Sequence, residues 1–181
     1  MARRLLMAIG GILIVLTTAV VVTMTACEPP SLARLESRFP RQRTDLERLV
    51  AMSDHDAQLF RIAPSWLMTS GQQYMEYSAE TGITQDRWDE YRHVFARNTI
   101  ADGLQRDHDT GDIYFIVRAV GIVNRGHSSG YLHCGPGPSH RYPPCSVLDA
   151  FGEHTMASDS DVNYAFRRIG QRWYAYSEGP D

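Results

Sequence analysis

One run governs what this chain can become. From residue 113 the sequence reads IYFIVRAVGIV, rich in β-branched and aromatic residues and apolar on both alternating sets. Successive side chains of a strand point to opposite faces. A strand apolar on both sets therefore belongs in the middle of a sheet. The turn signal DTGD at 109–112 leads into it, and NRG at 124–126 turns the chain again before SGYLHC returns. Further on, VNYAFRRIGQRWYAYSE reads as two aromatic-rich strands about a Gly-Gln turn, a hairpin.

Upstream the period changes. TDLERLVAMSDHD opens with the capping-box spacing of Thr44 and Glu47, and Leu46, Leu49, Val50 and Ala57 follow near helical spacing. TQDRWDEYRHVFARN offers Thr84 as a cap and Trp88, Tyr91 and Phe95 as one apolar stripe. Between them, QLFRIAPSWLMTS suits either a strand or an irregular connection. Helices first and an antiparallel sheet afterwards predict an α+β architecture. The expected fold is a single domain over 44–181, with N-terminal helices packed on about four to five strands.

The start of the chain has a different character. Arg3 and Arg4 precede the uncharged run Leu5 to Val22, and small residues then lead to Cys27. That is the layout of a secretory signal. The run also approaches the length needed to span a hydrocarbon core of about 30 Å, so an uncleaved anchor is the alternative. MTAC at 24–27 resembles the lipobox of bacterial lipoproteins. The resemblance implies a signal peptide over 1–26 and acylation of Cys27. The lipidated cysteine and its tether then cover 27–43, running into a first helical turn with Leu32, Leu35 and Phe39 on one side before Pro40 interrupts. Two or more acyl chains hold a protein stably on a bilayer, where one does not. Glu28, directly after the cysteine, implies an outer-membrane rather than inner-membrane address within the cell envelope.

Beyond the signal, sixteen arginines face twenty-one acidic residues, a side-chain charge of about −5. Such a domain has no electrostatic footprint for nucleic acid. Short motifs at 87–92, 128–131 and 173–176 are similar to those of small proteobacterial lipoproteins, a resemblance that carries no activity with it.

The stretch GHSSGYLHCGPGPSHRYPPC at 126–145 admits three chemistries. As a hydrolase elbow, GHSSG would make Ser128 the nucleophile, with His133, His140 or His154 as base. The elbow needs a buried strand before it and a helix after it. Here Asn124 and Arg125 precede it and a Pro/Gly-rich loop follows, so Ser128 is expected in a turn beside the sheet. As a metal site, His127, His133, Cys134, His140 and Cys145 lack any compact ligand spacing. DHDTGD at 107–112 lacks the glutamate a calcium loop needs at its twelfth position, where Arg118 stands.

The third chemistry is a disulfide. Removing Cys27 from three cysteines leaves two, in an oxidising compartment. A Cys134–Cys145 bond is therefore expected, with His133 and His140 as ordinary exposed or strand-edge residues. The stapled loop would present Tyr131, His140, Arg141 and Tyr142 to a protein partner. No catalytic residue, metal or cofactor is expected. The function expected is a non-catalytic binding role at the cell envelope, as inhibitor, immunity factor or assembly partner. The alternative is a small envelope serine hydrolase using Ser128.

Overall fold

A proline does not stop the first helix. The computed structural model describes residues 28–69, 71–121, 126–136, 145, 153–157 and 162–180. Its helix α1 (Leu32–His55) runs through Pro40 without a break. Ser31 caps it, the hydroxyl accepting the Arg34 N–H at 3.4 Å. The boundary expected between a tether at 27–43 and a helix capped by Thr44 is therefore corrected. Thr44 lies inside α1, and Glu47 pairs with Arg43 at 2.7 Å instead of closing a capping box.

The reason is burial. Leu35 and Phe39, ahead of the proline, continue the stripe formed after it by Leu46, Leu49 and Met52. Burying a side chain of this size stabilises by about 1.5–3 kcal/mol. Two of them offset the roughly 3 kcal/mol that an internal proline costs. Pro40→Ala restores the missing amide, so it is expected to raise stability by about 1–2 kcal/mol, less than the full helix penalty because the unfolded chain regains freedom. A urea midpoint that stays put or falls would contradict this account of the helix.

Nine strands follow among the described residues, in one sheet whose neighbouring strands are all antiparallel. In chain order they are β1 (Leu59–Ile62), β2 (Leu67–Thr69), β3 (Gln73–Tyr74), β4 (Leu104–Arg106) and β5 (Ile113–Val120). Then come β6 (His127–His133), β7 (Glu153–Ala157), β8 (Val162–Gly170) and β9 (Trp173–Pro180). A 3-10 turn at Ala79–Thr81 and helix α2 (Gln85–Asn98) separate β3 from β4. The spatial order is β3-β2-β1-β4-β5-β6-β9-β8-β7, so β5 stands in the middle, where its apolar pattern puts it.

The α+β architecture holds, and the count of four to five strands was too low. The additional strands are mostly two to four residues long, too short to show an alternating pattern. The hairpin of β8 and β9 forms as expected, although the turn falls on Gln171 and Arg172, and Arg172 takes a φ of 62°.

Two apolar layers cover the sheet. On one face, Phe115, Tyr131 and Trp173 pack with Phe39 of α1 and with Trp88 and Phe95 of α2. Trp88 donates its indole N–H to the Ala63 carbonyl at 3.0 Å, and Arg92 lies over its ring, so α2 is pinned to the β1–β2 connection. Thr84 caps α2 as expected, accepting the Arg87 N–H at 3.1 Å. The other face carries Leu132, Cys134, Phe166, Tyr174 and Tyr176, with Cys145 against them. Those residues include none from α1 or α2.

Candidate functional site

Residues from six adjacent strands meet around a pocket of about 340 Å³ on the face opposite α1 and α2. The volume falls at the small end of small-molecule pockets. Ranks of a flat sheet lie about 4.8 Å apart, so side chains from β1 and β8 could not otherwise share one site. Bulges supply the bend: the register shifts between Leu59 and Arg61, between Ile116 and Arg118, and between Arg168 and Gly170. Gly130 lets β6 close on the second of these, since a Cβ there would lie 1.8 Å from the Phe115 carbonyl oxygen.

Arg61 of β1 forms one end. Its Nη1 donates to Gln105 Oε1 and its Nη2 to the Asp102 carbonyl, both at 3.4 Å. The guanidinium carbon lies 5.1 Å from the Trp66 ring centre, and the buried Nε has no hydrogen-bond acceptor among the described residues. Burial holds its pKa below the usual arginine value, with Tyr176 and Asp102 opposing the shift.

Glu178 of β9 forms the other end. It accepts the Ser128 hydroxyl at 3.1 Å and the Tyr164 hydroxyl at 3.2 Å. Between the ends, Tyr114 meets Tyr176 edge to face with ring centres 5.5 Å apart. The Tyr176 phenol is pushed well above its ordinary pKa, chiefly by burial, with Ser128 opposing the shift. This is a polar network with a cation on one side and a carboxylate on the other.

No family model, curated protein or solved structure matches this chain. The site must be read from its own groups.

Ser128 lies on β6, not in a turn beside the sheet, and its hydroxyl points at a carboxylate. The strand runs on through Ser128 to His133, so GHSSG lacks the strand-to-helix turn of an elbow. His133 packs on Trp173 in the helix-facing layer, ring centres 4.8 Å apart, away from the pocket. His154 is on β7, three strands from β6, or about 14 Å at ordinary strand spacing. His140 lies outside the described residues.

Cys134 and Cys145 are bonded, with Cα atoms 6.0 Å apart, as expected. Asp112 brings a carboxylate within 4.8 Å of both sulfurs. The bond occupies both thiols, and the carboxylate takes the Gly135 N–H at 2.6 Å. The strand ending at Cys134 pairs with β9, so the staple and the final hairpin share one sheet.

Tyr131 is corrected as a partner-binding residue. It is fully buried in the helix-facing layer, and its hydroxyl lies 2.7 Å from Gln42 Oε1 and 3.1 Å from the Leu35 carbonyl. Burial pushes its pKa up to about 12. The other three loop residues, His140, Arg141 and Tyr142, lie outside the described residues, as do Cys27 and the run Leu5 to Val22.

His133 is half-buried rather than exposed, and its Nδ1 has no hydrogen-bond partner among the described residues. Burial first, then Arg172, lowers its pKa to about 4, while Asp54 and Glu47 oppose the shift. The unfolded chain, with a histidine near 6.5, therefore takes up this proton before the folded one. The contribution to stability is complete above about pH 6.5 and declines as pH falls toward 4. In His133→Gln, the melting temperature should fall less between pH 7 and pH 4 than in the unaltered chain. Parallel pH profiles would show that this imidazole does not titrate on unfolding.

Proposed function

We propose that this protein is a lipid-anchored protein of the cell envelope that binds rather than catalyses, and that the pocket between Arg61 and Glu178 is its binding site. One observation carries the reading: the Ser128 hydroxyl is committed to Glu178 at 3.1 Å, in a pocket whose two ends bear opposite charges. A carboxylate is poorly matched to removing a serine proton near neutral pH, whereas an ordered hydroxyl–carboxylate pair is a ready recognition element. An outer-membrane address follows from Glu28 under the lipobox reading. The proposed role is that of an inhibitor, immunity factor or assembly partner, with His140, Arg141 and Tyr142 as the expected surface for a protein.

Two measurements test this. The full chain should label with radioactive palmitate in cells, and Cys27→Ser should abolish the label. Labelling that persists in the variant removes the anchor from the proposal. Ser128→Ala is expected to melt within about 1 kcal/mol of the unaltered chain, the typical worth of one hydrogen bond. An esterase activity that disappears with Ser128 would replace the binding role with the hydrolase.

A further inference from the structure

The pocket holds two opposite charges, neither of which meets an ion-pair partner among the described residues. Arg61 makes no ion pair among the described residues. Its acceptors are an amide oxygen and a backbone carbonyl, both long at 3.4 Å, and its Nε is buried with none. The Asp102 carboxylate close by is engaged by the Ala119 N–H at 2.7 Å. Glu178 likewise has no cationic partner among the described residues, and receives only two hydroxyls.

A part-buried guanidinium with no carboxylate in contact is incompletely compensated, and an incoming carboxylate adds a charge-assisted bond. An ionised carboxylate has about four acceptor positions, of which the two hydroxyls of Ser128 and Tyr164 fill two. The remainder suit an ammonium donor. The pair also discriminates. A simple anion gains at Arg61 and is repelled at Glu178, and a simple amine meets the reverse. A molecule bearing both charges gains twice. Tyr114, Tyr176 and Ile116 give the wall between the two ends an apolar surface that suits a short hydrocarbon part.

Resting on the reading of this pocket as the binding site, we infer that its ligand is a small zwitterion of the amino-acid type, carboxylate on Arg61 and ammonium toward Glu178. Recognition then depends on both charges at once, not on either alone.

The test uses the full chain in detergent micelles and isothermal titration with matched probes. L-leucine, L-phenylalanine and 4-aminobutanoate are each compared with the acid lacking the amine and the amine lacking the carboxylate. At least one zwitterion should bind saturably and at least tenfold more tightly than both of its matched relatives. Glu178→Gln keeps the volume and one of the two accepting oxygens, and its amide N–H can donate to the other hydroxyl once that hydroxyl turns. It should therefore fold and lose at least tenfold for the zwitterion while gaining for the matched acid. Arg61→Met should lose binding of zwitterion and acid alike.

A matched acid or amine that binds as tightly as the zwitterion overturns the inference and leaves the binding reading intact. Absence of saturable binding by every probe also overturns it, and the palmitate result then still decides the anchored reading separately. Turnover of a bound probe would overturn both.

Discussion

Arg87→Leu is expected to cost about 3–5 kcal/mol, the usual penalty for stranding one member of a buried ion pair. Asp56, at the end of α1, is 5% exposed, and Arg87 of α2 donates to its Oδ2 from Nε at 2.7 Å. The same oxygen accepts the Tyr91 hydroxyl at 2.9 Å, and a second guanidinium nitrogen reaches the Met52 carbonyl at 3.3 Å. Arg87 also meets Glu90 at 2.8 Å and lies over the Tyr91 ring. The cluster thus ties the exit of one helix to the entry of the other. With leucine at 87, a carboxylate stays buried with one phenol for company. One control separates that from lost packing. Adding Asp56→Asn should recover much of the loss, because the stranded charge is gone. If urea titrations show no such recovery, the loss belongs to the aliphatic part of Arg87.

The double variant Cys134→Ser/Cys145→Ser is expected to lose about 3 kcal/mol in the chain-entropy description of a loop this short. Packing adds to it, since both sulfurs belong to the apolar layer with Phe166 and Tyr174. Serine there would bring two hydroxyls into that layer, close to the buried Asp112. Reductant applied to the unaltered chain gives the complementary measurement. Its midpoint should drop toward that of the double variant, and the reductant should leave the variant unmoved. Equal midpoints for all forms would mean that the bond contributes nothing to stability.

How much of this was legible depends on whether a signal was local. The run at 113–123 announced a central strand, and β5 is flanked by four strands on each side. Thr84 and the stripe of Trp88, Tyr91 and Phe95 marked α2, because capping and periodicity both lie within a few residues. Parity of cysteines was enough for the staple. The helical turn of Leu32, Leu35 and Phe39 was legible, but its continuation past Pro40 was not, because the proline is a strong local signal that tertiary burial of Leu35 and Phe39 overrides. Tyr131 was misread for a related reason. Its place beside a Pro/Gly loop suggested exposure, while strand alternation aims it at Phe39. The pocket left little trace. Ser128 stood out only for its false elbow, Arg61 sits in an undistinguished LFRI, and Glu178 closes the hairpin run with no pattern to mark it. Strand pairing and register shifts bring positions so far apart in sequence to one place.

The continuity of α1 sets how far such a domain could stand from a bilayer. Helix α1 begins at Leu32, and Leu35 is already fully buried. Under the proposed acylation at Cys27, the leash is the four residues 28–31, which reach at most about 14 Å when extended. That is less than half the thickness of a hydrocarbon core. The folded body would graze the headgroups and turn about a short pivot, unable to explore the compartment beyond. Whatever it meets would have to arrive at the membrane surface, and encounters would be confined to two dimensions.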